Sequence, residues 1–558
     1  MNIKELFRKH ESRYTTSQIM GWLWRSWRGN RLQAVLNIVL GLLGVVVSLS
    51  SVWAVQHAID VASHAVEGSL YMSVAVMGAL ILCDFAIHIS GVWVKNILGI
   101  RAQNRMQQRM LDRILRSEWH GKESHHSGDV LNRLEFDVNN VVNFLTETVP
   151  GAISVLALFL GAFFYLFSMD SRLALVIVAM IPVFVVISKI YVGRMRRLTR
   201  LVRDSDSKVQ SVLQETIQNR MLIKTLERDT AMVERLDRTQ GELRRNVVRR
   251  TAFSVFSNLV LNFGFALGYL VAFLWSAMRM YSHTLSFGGM TAFLQLVGKI
   301  QGPARNLTKL VPAFVSVFTA AERLMELEEN PLEEQGDSVY MASSGGVGVR
   351  LENVSYGYDS NEDNVIDSLS FDFEPGSCTA VLGETGAGKT TLLRMLLALI
   401  RPAEGSAVIY NGNGEKPLSP LTRCNFVYVP QGNTLMSGTI RDNLRLGKLD
   451  AGDEEMFAAL DKACAGFVKL LPKGLDTDCS EHGGGLSEGQ AQRIAIARAL
   501  LRGGSIMLFD EATSALDPDT ERALLRNILA AHDKTVIFIT HRPAVVDYCD
   551  KVLRIDKR

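Results

Sequence analysis

Residues 32–59 (LQAVLNIVLGLLGVVVSLSSVWAVQHAI) contain no Asp, Glu, Lys or Arg. A helix needs about 20 apolar residues to cross a bilayer, so this run is long enough to span one. Comparable runs follow at about 69–94, 148–169, 173–193, 252–278 and 284–318. One such run could be a buried core helix; the series predicts a helical membrane domain over residues 32–328. Between the runs, residues 98–118 and 195–215 set apolar residues among charges at helical spacing. Spans two to five are therefore expected to continue as helices past the bilayer, with turns near 124–137 and 214–229. After a segment of turn-forming residues, 329–348, the pattern changes to short apolar strands alternating with helices, which predicts an α/β domain over 349–558.

Charge adds an orientation. Lys4, Arg8, Lys9, Arg13, Arg25, Arg28 and Arg31 precede the first run, and the connections 95–140 and 194–250 are rich in Lys and Arg. The intervening short turns hold at most one basic residue each. By the positive-inside rule, the N-terminus, both long connections and everything after residue 320 are expected on the cytoplasmic side. The stretch MGWLWRSWRG (20–29) places Trp22, Trp24 and Trp27 beside Arg25 and Arg28. That suits an interfacial helix within residues 1–31; an extension of the first span is the alternative. This basic, polar start is not patterned as a cleavable signal peptide.

Composition changes little. The net charge of +3 does not point to nucleic acid. The six cysteines (83, 378, 424, 464, 479 and 549) show no CxxC pair and no regular spacing, which argues against a disulfide framework or a zinc site.

The α/β region carries the chemistry. VLGETGAGKTT (381–391) fits G-x-x-x-x-G-K-[ST] between an apolar strand and a leucine-rich helix. The amides of Gly383, Glu384, Thr385, Gly386, Ala387 and Gly388 would cradle phosphates, with Thr391 following in the same loop-to-helix turn. Lys389 would reach the β and γ oxygens, and Thr390 would hold Mg²⁺. In SIMLFDEATSALD (505–517) an apolar strand delivers Asp510 and Glu511 at its C-terminal end. Asp510 suits Mg²⁺ and Glu511 a general base that polarises water. A second glycine-rich turn, GGGLSEGQ (483–490), also opens a helix and so also offers amides to an anion, although the phosphate loop is already complete.

Taken in order, these motifs resemble the ATP-binding cassette transporters, in particular exporter-type half-transporters, along nearly the whole chain. The resemblance assigns further roles. LENVSYGYD (351–359) resembles the strand ending in an adenine-stacking aromatic, here Tyr358. Gln431 in YVPQG would bridge Mg²⁺ and water, and His541 in ITHRP would contact the γ-phosphate. SALD (514–517), ending at Asp517, resembles the loop joining the two sites. In the family the signature turn closes on ATP held by another nucleotide domain, so Ser487, Gly489 and Gln490 would act on a second copy's γ-phosphate. The resemblance therefore implies a dimer, homodimeric or heterodimeric, with ATP and Mg²⁺ sandwiched at its interface. The turns at 124–137 and 214–229 would be its coupling helices. The family commonly has LSGGQ where this chain has LSEGQ, so the effect of Glu488 on nucleotide binding is left open.

Substrate is less legible. Asp84 and His88 lie four apart on the second span, facing one way, as a structural pair or a substrate site. Lys299, Arg305 and Lys309 on the sixth either line a cationic cavity, favouring an anionic amphiphile, or mark its cytoplasmic end. The expected function is ATP-driven export or flipping of a lipid, drug or peptide in a bacterial inner membrane. An importer on the same scaffold and an ATP-gated channel are the alternatives.

Overall fold

The computed structural model describes residues 13–29, 31–119, 127–341, 345–358, 364–479, 485–530 and 533–556; within them, side chains 127, 128, 178, 180–192, 196, 261 and 304–312 are not described. The chain forms two compact units: Met1–Leu111 with Leu131–Leu327, and Asp112–Val130 with Glu328–Arg558.

The first unit is helical. Helix α1 (Thr16–Ser26) begins at a reciprocal cap in which Gln18 N donates to Thr15 Oγ1 and Thr15 N donates to Gln18 Oε1. A 3₁₀ turn, Trp27–Gly29, separates it from α2 (Arg31–Ala62). Then come α3 (Leu70–Leu115), α4 (Ser127–Asn132), α5 (Val138–Asn143), α6 (Val149–Met169), α7 (Ser171–Gln218), α8 (Arg220–Thr225), α9 (Asp229–Tyr281) and α10 (Phe287–Glu329). Among the described residues, four helices are long and apolar enough to cross a membrane: Arg31–Ala62, Leu70–Leu115, Asp129–Met169 and Asp229–Tyr281. The run 173–193 lies within α7, and most of 284–318 within α10. The helices α3, α7 and α9 far exceed one bilayer crossing, at 46, 48 and 53 residues.

Polar contacts hold the helix ends. Asp170 caps α7, accepting from Arg172 N and Leu173 N at 3.0 Å each, and also accepts from Trp275 Nε1 (3.0 Å) and Arg279 (2.5 Å) of α9. Asp60, buried at the end of α2, accepts from Gly288 N (3.0 Å) in the first turn of α10. A Cβ at Gly288 would collide with Asp60 Oδ1 and the Gln56 carbonyl, so glycine is what permits this approach. Two π turns, Arg133–Asp137 and Phe144–Thr148, flank α5. The first carries buried Arg133 and Asp137, which pair with Glu326 (2.9 Å) and Arg323 (3.2 Å) of α10. The extensions of α7 and α9 run together through Lys208–Glu242, Arg235–Glu215 and Asn246–Ser205 contacts. Helix α8 crosses the tip of that hairpin with Met221 and Leu222 exposed.

The second unit is α/β. Its elements are β1 (Gly348–Tyr356), β2 (Ile366–Phe373), β3 (Cys378–Gly383), α11 (Lys389–Leu396), β4 (Glu404–Asn411), β5 (Gly414–Pro417), β6 (Phe426–Val429), β7 (Gly438–Thr439), α12 (Ile440–Arg445), α13 (Asp453–Lys462), β8 (Asp478–Cys479), α14 (Glu488–Arg502), β9 (Ile506–Asp510), α15 (Pro518–Leu529), β10 (Thr535–Ile539), α16 (Pro543–Val546) and β11 (Lys551–Ile555). An antiparallel sheet runs β2-β1-β4-β5, and a parallel sheet runs β11-β3-β10-β9-β6. The inner strands β3, β10 and β9 are almost wholly apolar because both faces are covered, whereas the edge strand β11 keeps Lys551 and Arg554. On β9, Ile506 and Leu508 point to the core shared with α11 and the antiparallel sheet, while Met507 and Phe509 point to the core under α14 and α15. The parallel sheet brings its chemistry to the C-terminal ends of β3, β9 and β10.

The end of the first long connection belongs to this unit. Arg113 donates to the carbonyls of Glu328 (2.7 Å) and Asn330 (3.0 Å), and Ser117 pairs with Leu332 in an antiparallel bridge. Arg423 then grips Glu333 with two bonds of 2.8 and 3.0 Å while donating to the Leu397 and Ala398 carbonyls.

Candidate functional site

The strand β3 ends at Gly383, and the chain turns through Gly386 (φ +86°) and Gly388 (φ +99°) before α11 begins. Those left-handed positions favour glycine and let successive amides face one concavity. Lys389 opens the helix and folds back, donating to the carbonyls of Gly383 (2.5 Å) and Glu384 (3.1 Å). It also donates to His541 Nε2 at 2.9 Å. A cavity of about 530 Å³ beside this turn is lined by Gly383, Glu384 and His541, together with Arg554 and Asp556.

The parallel sheet delivers the acids. Asp510 ends β9, and Glu511 follows at φ +47°, a left-handed conformation strained for a non-glycine residue. Its amide donates to the Ile539 carbonyl (2.9 Å), which fixes the bend against β10. Gln431 donates to Glu511 Oε2 at 2.8 Å, and His541 Nε2 lies 3.5 Å from Glu511 Oε1. Lys389, His541, Glu511 and Gln431 thus form one connected chain of side chains. Burial, reinforced by neighbouring Glu511, pushes the Asp510 carboxyl above its usual range. Tyr428 donates to Asp510 (3.4 Å); burial and that carboxylate push its own hydroxyl up to about 12.

Tyr358 lies just past β1, its hydroxyl 2.9 Å from Thr391 Oγ1 and accepting from Arg394 at 3.1 Å. The ring meets Tyr356 edge-on at 5.2 Å. Its polar end is thereby tied to α11, so the ring is held by the same helix that carries Lys389 and Thr390.

The signature turn is built separately, at the start of α14. Ser487 caps it: Gln490 N donates to Ser487 Oγ (3.2 Å) and Ser487 N donates to Gln490 Oε1 (2.9 Å). A Cβ at Gly489 would sit 2.7 Å from the Ala515 carbonyl, so the turn lies tight against the SALD loop. Glu488 is the first helical residue and is exposed, where a carboxylate suits the helix dipole. Residues 480–484, the start of the motif, lie outside the described residues. Asp517 caps α15, accepting from Thr520 N (3.0 Å), a bond that holds its carboxyl below the usual range.

Arg542 was not singled out from the sequence, although it directly follows His541. It donates to the Ser514 (2.7 Å) and Leu516 (3.3 Å) carbonyls and pairs with buried Glu521 at 2.9 Å. It therefore fastens the SALD loop to the loop carrying His541. Tyr428 was also missed; only its place two residues before the YVPQ proline hinted at it.

In the membrane unit, Lys299 donates to Ser48 Oγ at 2.5 Å and lies within the field of Asp84. An electrostatic attraction thus links two of the sequence candidates across α3 and α10. His88 is exposed one turn beyond Asp84. The side chain of Arg305 lies outside the described residues.

Two family models match in tandem. The ABC transporter transmembrane region matches residues 34–304, and the ABC transporter model matches 366–514. An ATP-dependent lipid A-core flippase of Pseudomonas fluorescens (strain Pf0-1) is 30% identical over 444 residues, which is 78% of this chain and 72% of that protein. The chain belongs to the ABC transporter family. A multidrug resistance ABC transporter ATP-binding and permease protein of Lactococcus lactis subsp. cremoris is 27% identical over 534 residues, covering 94% of this chain and 88% of the relative. A solved bacterial Atm1-family ABC exporter with ATP bound superposes with a TM-score of 0.74 at 22% identity, covering 94% of this chain and 93% of that one, and so shares the fold. This ABC transporter is an integral membrane protein of the exporter type, with its membrane and ATP-binding domains fused in one chain.

Proposed function

We propose that this ABC transporter hydrolyses ATP with Mg²⁺ as a dimer, preferably of two identical chains, to export or flip an amphipathic, lipid-like compound. The observation that carries the reading is the Glu511 carboxylate, held by Gln431 and faced by His541 beside the phosphate-loop lysine. Glu511 is placed to orient and deprotonate water, with His541 and Lys389 to meet phosphate charge. Asp510 and Glu511 bring two carboxylates together in a partly buried site, a donor set that fits a divalent cation. Thr390, Asp510 and Gln431 would hold it, and bound Mg²⁺ would neutralise phosphate charge. Among the described residues, Ser487, Gly489 and Gln490 of the signature turn make no hydrogen bond to this cluster, which supports their use on a second copy's nucleotide. Closure around ATP would then move the helical hairpins and turn the cavity outward. The exposed apolar residues of α8 support its role as a coupling helix.

For the substrate, the balance of Lys299 against Asp84 favours an amphiphile with a polar head over a bare anion. The lipid flippases and multidrug transporters among the relatives are consistent with that class. The Lys and Arg distribution supports an orientation with the N-terminus and ATP-binding domain in the cytoplasm, and the bacterial relatives favour an inner membrane. The test is ATP hydrolysis by the chain expressed alone and reconstituted in lipid. Mg²⁺-dependent activity is expected, abolished in Glu511→Gln. Activity no higher than in that variant would overturn the homodimer.

A further inference from the structure

The last crossover of the parallel sheet runs from the end of β10 to the start of β11. It begins at Thr540 and His541, makes the single turn α16 and reaches Cys549 and Asp550 before β11 starts at Lys551. Strand β11 lies beside β3 in parallel, with Lys551 opposite Thr379, so the end of the crossover arrives next to Cys378, the first residue of β3. Asp550 locks the two segments together. Its amide donates to the Cys378 carbonyl and its carboxylate accepts from the Cys378 amide, both at 2.9 Å.

On this fixed backbone two thiols meet. Cys378 Sγ donates to Cys549 Sγ at 3.1 Å, and Cys549 Sγ donates in turn to the Val545 carbonyl at 3.3 Å. A buried cysteine ordinarily packs as a small apolar group, which accounts for Cys378 by itself. It does not account for a second sulfur brought against it from 171 positions away. The separation exceeds a sulfur–sulfur bond by only about 1 Å, a gap within reach of side-chain rotation.

The two sulfurs are not equivalent. Cys549 is partly exposed and Cys378 is 5% exposed, so an oxidant from solvent meets Cys549 first. The hydrogen bond to Cys549, burial and the Asp550 carboxylate push the Cys378 thiol up, so it keeps its proton. An accessible sulfur that can be oxidised thus stands beside a protonated thiol that can displace the oxidised group.

We propose that Cys378 and Cys549 are a redox modification site, resting as thiols and closing to a disulfide when hydrogen peroxide oxidises Cys549. In the first step the Cys549 sulfur attacks a peroxide oxygen and the O–O bond breaks, giving Cys549 sulfenic acid and one water. In the second the Cys378 sulfur attacks the sulfenic sulfur, the S–O bond breaks, and the hydroxyl leaves as water with the Cys378 proton. The two sulfurs together lose two electrons, which reduce one peroxide to two waters. The bridge ties the start of the phosphate-loop strand to the segment that carries His541 and Arg542, and uses no residue of the nucleotide cluster. The site stands whether or not the chain hydrolyses ATP.

The test uses the full chain in lipid nanodiscs, reduced, freed of reductant and treated with hydrogen peroxide. Remaining thiols are capped with iodoacetamide, and peptides are mapped by mass spectrometry without reduction. The expected product is a cross-linked pair containing Cys378 and Cys549, two hydrogens lighter than its parts, and dithiothreitol should restore both thiols. Because the bridge closes a long loop, the unfolding temperature of the ATP-binding domain should rise by about 5 °C on oxidation and return on reduction. In Cys378→Ala, Cys549 should stop at the sulfenic acid and be trapped by dimedone. In Cys549→Ser, a change at a partly exposed position, Cys378 should stay unmodified. Cys479→Ser, at a buried cysteine outside the pair, should cross-link as wild type does. Thermal unfolding of the reduced variants confirms that each is folded. Dimedone capture of Cys549 in wild type with no cross-linked peptide would overturn the pair. So would peroxide treatment that leaves both thiols free, or a Cys378 that oxidises equally well in Cys549→Ser.

Discussion

At the residue scale, the signature turn depends on close approach. Gly489 lies where a single methyl would meet the Ala515 carbonyl at 2.7 Å. Gly489→Ala must push the signature turn away from the SALD loop. The expected outcome is a fall in ATPase activity of at least tenfold, about 1.4 kcal/mol in the barrier, with the unfolding temperature of the chain nearly unchanged. ATPase assay beside calorimetry separates this from general destabilisation. Most residues of the phosphate site were legible in the sequence because each motif is local: a loop must cradle phosphate with its own consecutive amides, and a strand end must present consecutive acids. What was not legible is held by distant partners. Arg542 matters through carbonyls 26 and 28 positions away. The thiols of Cys378 and Cys549, which look scattered along the chain, lie 3.1 Å apart. Spacing in sequence carries no signal for either.

At the scale of elements, the hydrophobic runs announced the membrane helices, and the long charged helical stretches announced their extensions. The π turns around α5 were not announced. The first lies where buried Arg133 and Asp137 reach Glu326 and Arg323 on α10, contacts invisible from local periodicity. The linker before β1 read only as turn-forming, yet Glu333 within it is clamped by Arg423. Arg423→Ala would leave that carboxylate, 16% exposed, without its partner and free two carbonyls at the end of α11. Such a change should destabilise the ATP-binding domain by about 2–3 kcal/mol, read as a lower midpoint in denaturant with an unchanged slope. Arg423→Lys, which cannot reproduce the fork, should recover only part of the loss.

At the scale of the molecule, one phosphate loop and one signature turn per chain make the working assembly a matter of pairing. A chain with Lys389→Ala and a chain with Gly489→Ala should each be inactive alone. Reconstituted together, they should regain ATPase activity, because a mixed pair contains one site built from an intact loop and an intact signature. No recovery, with mixed pairs shown by differential tags, would mean that the signature serves its own chain or that both sites must work at once. Isolating, by both tags, the pair of a doubly changed chain with wild type distinguishes these, since only the second leaves that pair inactive.

The tie between Arg113–Ser117 and residues 328–333 also bears on how the chain is made. Arg113 finds its carbonyl partners 215 and 217 residues further on. At synthesis rates of about 5–20 residues per second that gap corresponds to roughly 10–40 s of translation. For that interval the tip of α3 stands outside the membrane without the segment that anchors it. A ribosome stalled anywhere in between would leave the tip open, a ready mark by which a protease could tell an unfinished transporter from a finished one.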